Sequence, residues 1–461
     1  MQFRIDRDSL GEIKINSNAY YGPFTARALK NYNATGTRSH QNIIKAYLMI
    51  KKSATLANIR LKKLNSKKGN AIVKACDEIL KGSLIDQFIV DTINSGAGTA
   101  LNMNVNEVIA NRALEILHKK KGDYKYINPN DEVNMSQSSN DTFPTALHTA
   151  ILLDLNEFIP TINKLISSLR KKSREFNNII KMGRTHLMDA LPITLGIEFE
   201  AYAIAIEKAK NTIKIASKEL EYVALGGTAI GTGANTPKGY RILVVKNLSG
   251  ISGLNLKPEK NMCYGLQSRF AVANISSVLR NLALELTRLA NDIRLMASGP
   301  IAGLAEVTIP AIHAGSSIMP GKVNPSLAES LNMVCFNVIG NDLSVAFAVQ
   351  AGQFELNVML PVIAKCTLES IDMLKNILPV FSKNMIDGLQ ANKEQLQSYV
   401  EKSPGLVTLF APYIGYMKAS ELYKESLKKN ISVRELVITK RLMRKEDVDK
   451  VLKKKNILKS G

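Results

Sequence analysis

Between residues 275 and 296 the apolar side chains Ile275, Leu279, Leu282, Leu286, Leu289, Ile293 and Met296 recur at alternating steps of four and three. Only an α-helix brings such a series onto one side, and the alternation is the spacing of a helix packed nearly parallel to its neighbours. A second series, Leu147, Ile151, Leu155, Phe158, Ile162, Leu165 and Leu169, has the same character. Pro160 falls inside it, where a missing backbone donor and a clash with the preceding turn predict a kink. Two helices of this length imply a bundle. Further long helices are expected at 194–221, 326–349 and 361–388, and strand signals are sparse, so the fold class is mainly α.

Around this centre the chain changes texture. Residues 1–140 mix shorter helices with Gly- and Asn-rich loops, 141–393 hold the long-helix bundle, and 394–461 form a small helical region ending in a Lys-rich tail. The 461 residues can bury a sizeable core, and no repeat of 20–50 residues suggests a solenoid.

Lys and Arg outnumber Asp and Glu by 61 to 40, giving a net charge of +21. The excess is spread over runs such as Lys51-Lys52, Lys119-Lys120-Lys121, Lys171-Lys172 and Lys453-Lys454-Lys455, with no Trp and few aromatics between them. That pattern is expected of a solvated Lys-rich surface and not of a base-stacking groove, so no nucleic-acid partner is expected. Cys76, Cys263, Cys335 and Cys366 are scattered, which fits buried thiols in a reducing compartment better than a zinc site or disulfides. The N-terminus lacks an apolar leader segment, and there is no uninterrupted apolar run of about 18 residues; the expectation is a cytoplasmic protein without a membrane partner.

Two Gly-rich stretches fail as nucleotide motifs. In Gly315-Ser316-Ser317-Ile318-Met319-Pro320-Gly321-Lys322-Val323, five residues separate the glycines where a Walker A loop has four, and Val323 stands where a hydroxyl would hold magnesium. Gly96-Ala97-Gly98-Thr99 lacks the third glycine of a dinucleotide fingerprint. The first stretch nonetheless leads through Lys322 to Asn324, suited to an N-cap, and Pro325, suited to the first helical position. A helix N-terminus beside a lysine suits a carboxylate or phosphate; a plain Ser-rich capping loop is the alternative. Ser138-Ser139-Asn140-Asp141 and Gly183-Arg184-Thr185-His186 can be read in the same two ways. Taken together with Thr99, these loops could surround a small polyanion with donors. No two of the five histidines have metal-ligand spacing with a carboxylate, so no metal is expected.

At Gly315 to Pro325 the chain resembles the signature of the aspartase/fumarase superfamily, the lyases that release fumarate. Tyr20-Tyr21-Gly22, Asn102 to Glu107, Ser138 to Asp141, Gly183 to His186, Gly231-Thr232-Gly233 and Gly352 to Asn357 resemble family segments in family order. Gly96 to Thr99 and Lys121 to Tyr126 are similar to the aspartate ammonia-lyase branch, whereas Ser139 and Phe143 are similar to class II fumarases. Met188, Ile301 and Leu360 depart from the family pattern, which has Gln, Arg, and Glu or Lys there; Ala328 stands near a missing second proline.

The resemblance implies a three-region lyase fold whose long helices assemble into a homotetramer with a twenty-helix core, each active site being shared between chains. It implies reversible deamination of L-aspartate to fumarate and ammonia, with hydration of fumarate as the alternative, and no organic cofactor. It carries Thr99, Ser138, Ser139, Asn140, Thr185 and His186 to substrate binding, Lys322 and Asn324 to a carboxylate, and Ser316 to the base that takes the Cβ proton. His186 is implied near the leaving group, and Ser317 and Glu329 in support. Removing a proton next to a carboxylate builds further charge on an anion, so several donors must converge on it. A serine can act as base there only if its oxyanion is shielded and stabilised.

Overall fold

The computed structural model describes residues 2–315 and 318–453. An antiparallel hairpin opens the chain: β1 (Phe3–Asp8) pairs with β2 (Gly11–Asn16), Phe3 opposite Asn16. Then come α1 (Pro23–Asn31), α2 (Gln41–Arg60), α3 (Ser66–Leu80), α4 (Thr99–Ile116) and α5 (Ser139–Glu175). A second hairpin, β3 (Ile180–Thr185) with β4 (Met188–Thr194), leads to α6 (Leu195–Ala216), α7 (Tyr240–Ser252), α8 (Met262–Gln267) and α9 (Phe270–Met296). The remainder is α10 (Ser326–Gln350), α11 (Leu360–Phe381), α12 (Lys393–Lys402), α13 (Val407–Ile414), α14 (Tyr416–Lys429), α15 (Val433–Thr439) and α16 (Lys445–Val451). The longest, α5, has 37 residues and α9 has 27, far above an ordinary helix of about 12.

Every member of the two periodic series is buried, from Leu147 to Leu169 on α5 and from Ile275 to Met296 on α9. The helix is continuous through Pro160. The expected helices at 194–221 and 361–388 end earlier in α form, at Ala216 and Phe381, and continue as a 3-10 turn and a π turn respectively.

The chain forms two compact units, each assembled from separate stretches. Met1–Ile159, Lys210–Ala283 and Phe336–Lys375 make the first; Pro160–Ala209, Leu284–Cys335 and Asn376–Gly461 make the second. In the first, α2 packs on α3 and α7, and α3 packs on α4. Ile43, Ile44, Tyr47, Leu48 and Ile50 of α2 are buried, and the Tyr47 ring meets Phe143 edge-on at 6.1 Å. The N-terminus of α1 is capped from α4: the Glu107 carboxylate accepts the Gly22 and Phe24 N–H groups at 2.8 Å and that of Thr25 at 3.1 Å. Burial pushes this carboxyl up to about 7 despite those bonds. In the second unit, Met182 of β3 joins Leu406, Phe410, Leu422, Val433, Val437 and Val448 in one core, so the hairpin is welded to the small C-terminal helices.

Two sequence expectations need correction. Lys51, read as part of a solvated pair, is completely buried, and burial lowers its ammonium to about 7. It lies four residues beyond Tyr47 and three before Ala54, on the buried face of α2, and its stem follows that apolar side. Lys172 and Lys181 are buried as well. Among the cysteines, Cys263 is exposed, whereas the other three are buried.

Gly98, at the start of α4, has φ +66°, and a Cβ there would collide with the Phe143 ring. Gly98→Ala should therefore lose about 3 kcal/mol or more, from left-handed strain plus overpacking, seen as a lower urea midpoint at unchanged slope.

Candidate active site

In the first unit two helix N-termini converge. Thr99 opens α4 and Ser139 opens α5, and their hydroxyl oxygens lie 3.0 Å apart. Each terminus carries N–H groups without carbonyl partners one turn earlier in the helix, and the positive end of a helix dipole, so the place between them suits an anion. The Thr99 turn is held by Ser95, whose Oγ accepts the Ala100 N–H at 2.8 Å, and by the Ala97 N–H, which donates to Val358 O at 2.9 Å. The partly buried Ser138 has its carbonyl accept from Thr142 N–H at 3.0 Å and its Oγ from Asn140 N–H at 3.2 Å. It is thus the N-cap of α5 and the capping reading holds here.

Asp141 fixes this arrangement. Its Oδ1 accepts Ser138 N–H at 3.0 Å, and its Oδ2 accepts Gly226 N–H at 3.0 Å and Thr228 N–H at 2.9 Å. Asn140 Nδ2 donates to Ala229 O at 2.9 Å, so the loop leading to Gly231-Thr232-Gly233 is tied to the α5 terminus by three hydrogen bonds. Beneath it, Lys51 Nζ donates to Asn102 Oδ1 and Asn134 Oδ1, both at 2.8 Å, and Thr142 Oγ1 donates to the same Asn102 oxygen at 3.3 Å. Sequence reasoning missed Lys51 because the charge of its neighbour Lys52 masked the periodicity of the buried face.

In the second unit, Thr185 and His186 stand on the β3–β4 hairpin. Thr185 pairs with Met188, leaving His186 and Leu187 as a two-residue turn with φ of 57° and 60°. A type I′ turn requires such a pair and normally takes Asn-Gly. His and Leu in this conformation carry strain of order 1–3 kcal/mol each. Gly183 makes the bulge below: a Cβ there would lie 2.7 Å from the Leu191 carbonyl. Thr185 and His186 are exposed, and among the described residues neither side chain is hydrogen-bonded.

Also in this unit, Lys322 is exposed and Asn324 partly buried, just before α10. The Pro325 carbonyl accepts from Ala328 and Glu329 N–H at 3.0 and 3.1 Å, so Pro325 is the N-cap and the helix starts one residue later than the spacing suggests. The loop is pinned at its base, where Gly315 N–H donates to His313 O at 2.8 Å and His313 Nε2 meets Ser326 Oγ at 3.2 Å. Ser316 and Ser317 lie outside the described residues. Among the described residues no hydrogen bond or ion pair joins Thr185 or His186 to Lys322, Asn324 or Glu329, and the pairing of His186 with Glu329 is not made within the chain.

Sequence spacing also hid a cluster around His40. Its Nδ1 accepts Asn42 N–H at 3.1 Å, capping α2, while Nε2 lies 2.7 Å from Asp372 Oδ2 and Asp154 stands nearby. Lys375 Nζ is 3.0 Å from both Asp154 and Asp372, so an ammonium already supplies the cation. His148 is a structural histidine: Nδ1 contacts Tyr222 O at 3.0 Å and burial lowers it to about 3. Of the departures, Leu360 is buried while Met188 and Ile301 are 69% and 93% exposed.

Burial raises the Asp141 carboxyl from 3.8 to about 6, against its backbone bonds and Lys51. A raised folded-state pKa contributes stability that is complete below 3.8 and is lost as pH rises through about 6. Asp141→Asn should remove that dependence from urea-unfolding curves taken across the window. At every pH it should also lose about 1–3 kcal/mol, because the amide NH2 cannot accept one of the N–H sets.

A family model described as Lyase matches residues 11–340, and one described as Fumarase C C-terminus matches residues 406–459. The chain is 46% identical to the aspartate ammonia-lyase of Bacillus subtilis, covering 100% of this chain and 97% of that one. It is 43% identical to the class II fumarate hydratase of Helicobacter pylori, covering 98% and 97%. The crystal structure of recombinant class II fumarase from Schistosoma mansoni superposes with a TM-score of 0.94 at 37% identity, covering 98% of each chain. The similarity runs along nearly the whole length, and the chain belongs to the aspartase/fumarase superfamily.

Proposed function

We propose that the protein is an aspartate ammonia-lyase, interconverting L-aspartate with fumarate and ammonia. The observation that carries the reading is the meeting of the α4 and α5 N-termini at Thr99 and Ser139, whose hydroxyl oxygens lie 3.0 Å apart. Similarity to aspartate ammonia-lyases from several bacteria, at 41–46% identity over nearly the full length, supports the amine leaving group.

In this reading Ser316, as alkoxide, takes a proton from Cβ, and the electron pair moves into the adjacent carboxylate as an aci-carboxylate. Thr99, Ser138, Ser139, Asn140 and Thr185 donate to the dianion, and Lys322 with Asn324 binds a carboxylate. The Cα–N bond then breaks, ammonia leaves on the side of His186, and fumarate remains. Ser317 supports the loop and Glu329 supports His186 from a neighbouring subunit. The positive charge of the whole chain steers a dianionic substrate.

The homotetramer belongs to the same reading. On α10, Met333, Phe336, Leu343 and Phe347 are all more than half exposed. By length and composition this helix could cross a bilayer, but it carries Glu329 and Asp342, and Asp342 Oδ1 accepts from Ser276 Oγ at 2.6 Å. Apolar faces of that extent fit a shared helical core in a cytoplasmic assembly, with the chain organised as 1–140, 141–393 and 394–461.

Fumarate hydration is the second reading, favoured by the Helicobacter pylori hydratase similarity and by Ser139 and Phe143. Ultraviolet detection of fumarate separates them: aspartate, and not malate, is expected to yield it, and product from malate alone would overturn the assignment. Inertness toward both would favour a non-catalytic helical assembly protein, which the departures at Met188, Ile301 and Leu360 motivate. Ser316→Ala should reduce turnover by at least about 100-fold with the oligomer unchanged in size-exclusion chromatography.

A further inference from the structure

The hairpin that displays Thr185 and His186 stands on a buried ion network. Glu306 is fully buried; Arg184 Nη1 donates to its Oε1 at 2.8 Å, and Lys181 Nζ lies 3.0 Å from its Oε2. Lys181, itself 4% exposed at the side chain, also donates to Glu198 Oε2 at 2.8 Å, so two cations face two carboxylates. The Glu306 backbone is fixed at both ends, its N–H donating to Met296 O at 2.8 Å and its carbonyl accepting Asn392 N–H at 2.9 Å. Both cations belong to β3, one and four residues before Thr185. On the other strand Ser403 Oγ donates to Asp189 Oδ2 at 2.7 Å.

Among the described residues the tip is held by its strand pairing alone. Thr185 and His186 have no side-chain partner among the described residues, Leu187 and Met188 are largely exposed, and the turn between them is strained. A strained turn keeps one conformation only when its flanks are over-determined. Apolar packing could supply the stability of a buried ion network, but a charge-assisted hydrogen bond from Arg184 to a fixed carboxylate also dictates direction.

We propose that Glu306 is a positioning residue for the lyase reaction: through Arg184 and Lys181 it fixes where the hairpin tip presents Thr185 and His186 to the substrate. This rests on the assignment of that tip to the substrate site, and it adds a residue that touches no substrate.

A double-mutant cycle between Glu306→Gln and Thr185→Ala tests it, with kcat and KM for aspartate measured on assembled protein of checked thermal stability. Each single variant should lower kcat/KM by at least about tenfold, and Thr185→Ala should cost less than about threefold further in the Glu306→Gln background. Losses that multiply, or a folded Glu306→Gln enzyme with wild-type kcat/KM, would overturn the inference while leaving the site assignment standing. Full activity in Thr185→Ala alone would remove the site assignment and this inference with it. Should Glu306→Gln not fold, Glu306→Asp, which keeps the charge and shortens the reach, takes its place in the cycle with the same expected coupling.

Discussion

The acceptance of three backbone N–H groups by one buried carboxylate, Asp141, is the constraint on which the donor side of the site depends. It joins the α5 N-cap to the loop at Gly226 and Thr228, and so fixes the turn from which Ser138, Ser139 and Asn140 project. Burial strengthens these bonds electrostatically and also makes them expensive to lose, because water cannot replace a missing partner. Lys51 and the Asn102–Asn134 pair form a second layer under the same turn. In the proposed reaction, donors anchored in this way need little rearrangement when charge develops on a bound carboxylate, which is the condition for electrostatic catalysis.

The two compact units carry different polar groups. The first offers neutral hydroxyls and helix termini at Thr99 and Ser139; the second offers the Lys322 ammonium and the imidazole of His186.

Helix periodicity made the architecture legible: each member of the α5 and α9 series is buried, because a long helix can hide only one stripe and the sequence repeats that stripe without a break. Local motifs also marked the α5 cap, since Ser-x-x-Asp closes its bonds within four residues. What escaped was non-local or conformational. Lys51 looked like surface charge because its partners are 51 and 83 residues away, and the His40 cluster joins residues from three distant helices or their ends. Glu306 carries no local pattern at all. The positive φ values at His186 and Leu187 were equally invisible, because neither residue type announces a left-handed turn.

The interleaving of the two units along the chain has a bearing on biosynthesis. The first unit is complete only when Lys375 has left the ribosome, and the second draws on the final segment from Asn376 onward. Neither can close early as an N-terminal module, the ordinary route for multidomain chains, because even the first needs residues up to Lys375. Most of the nascent polypeptide must wait with its long apolar stripes uncovered, so this chain's demand on chaperones is set by the order of its segments as much as by the stability of the finished fold.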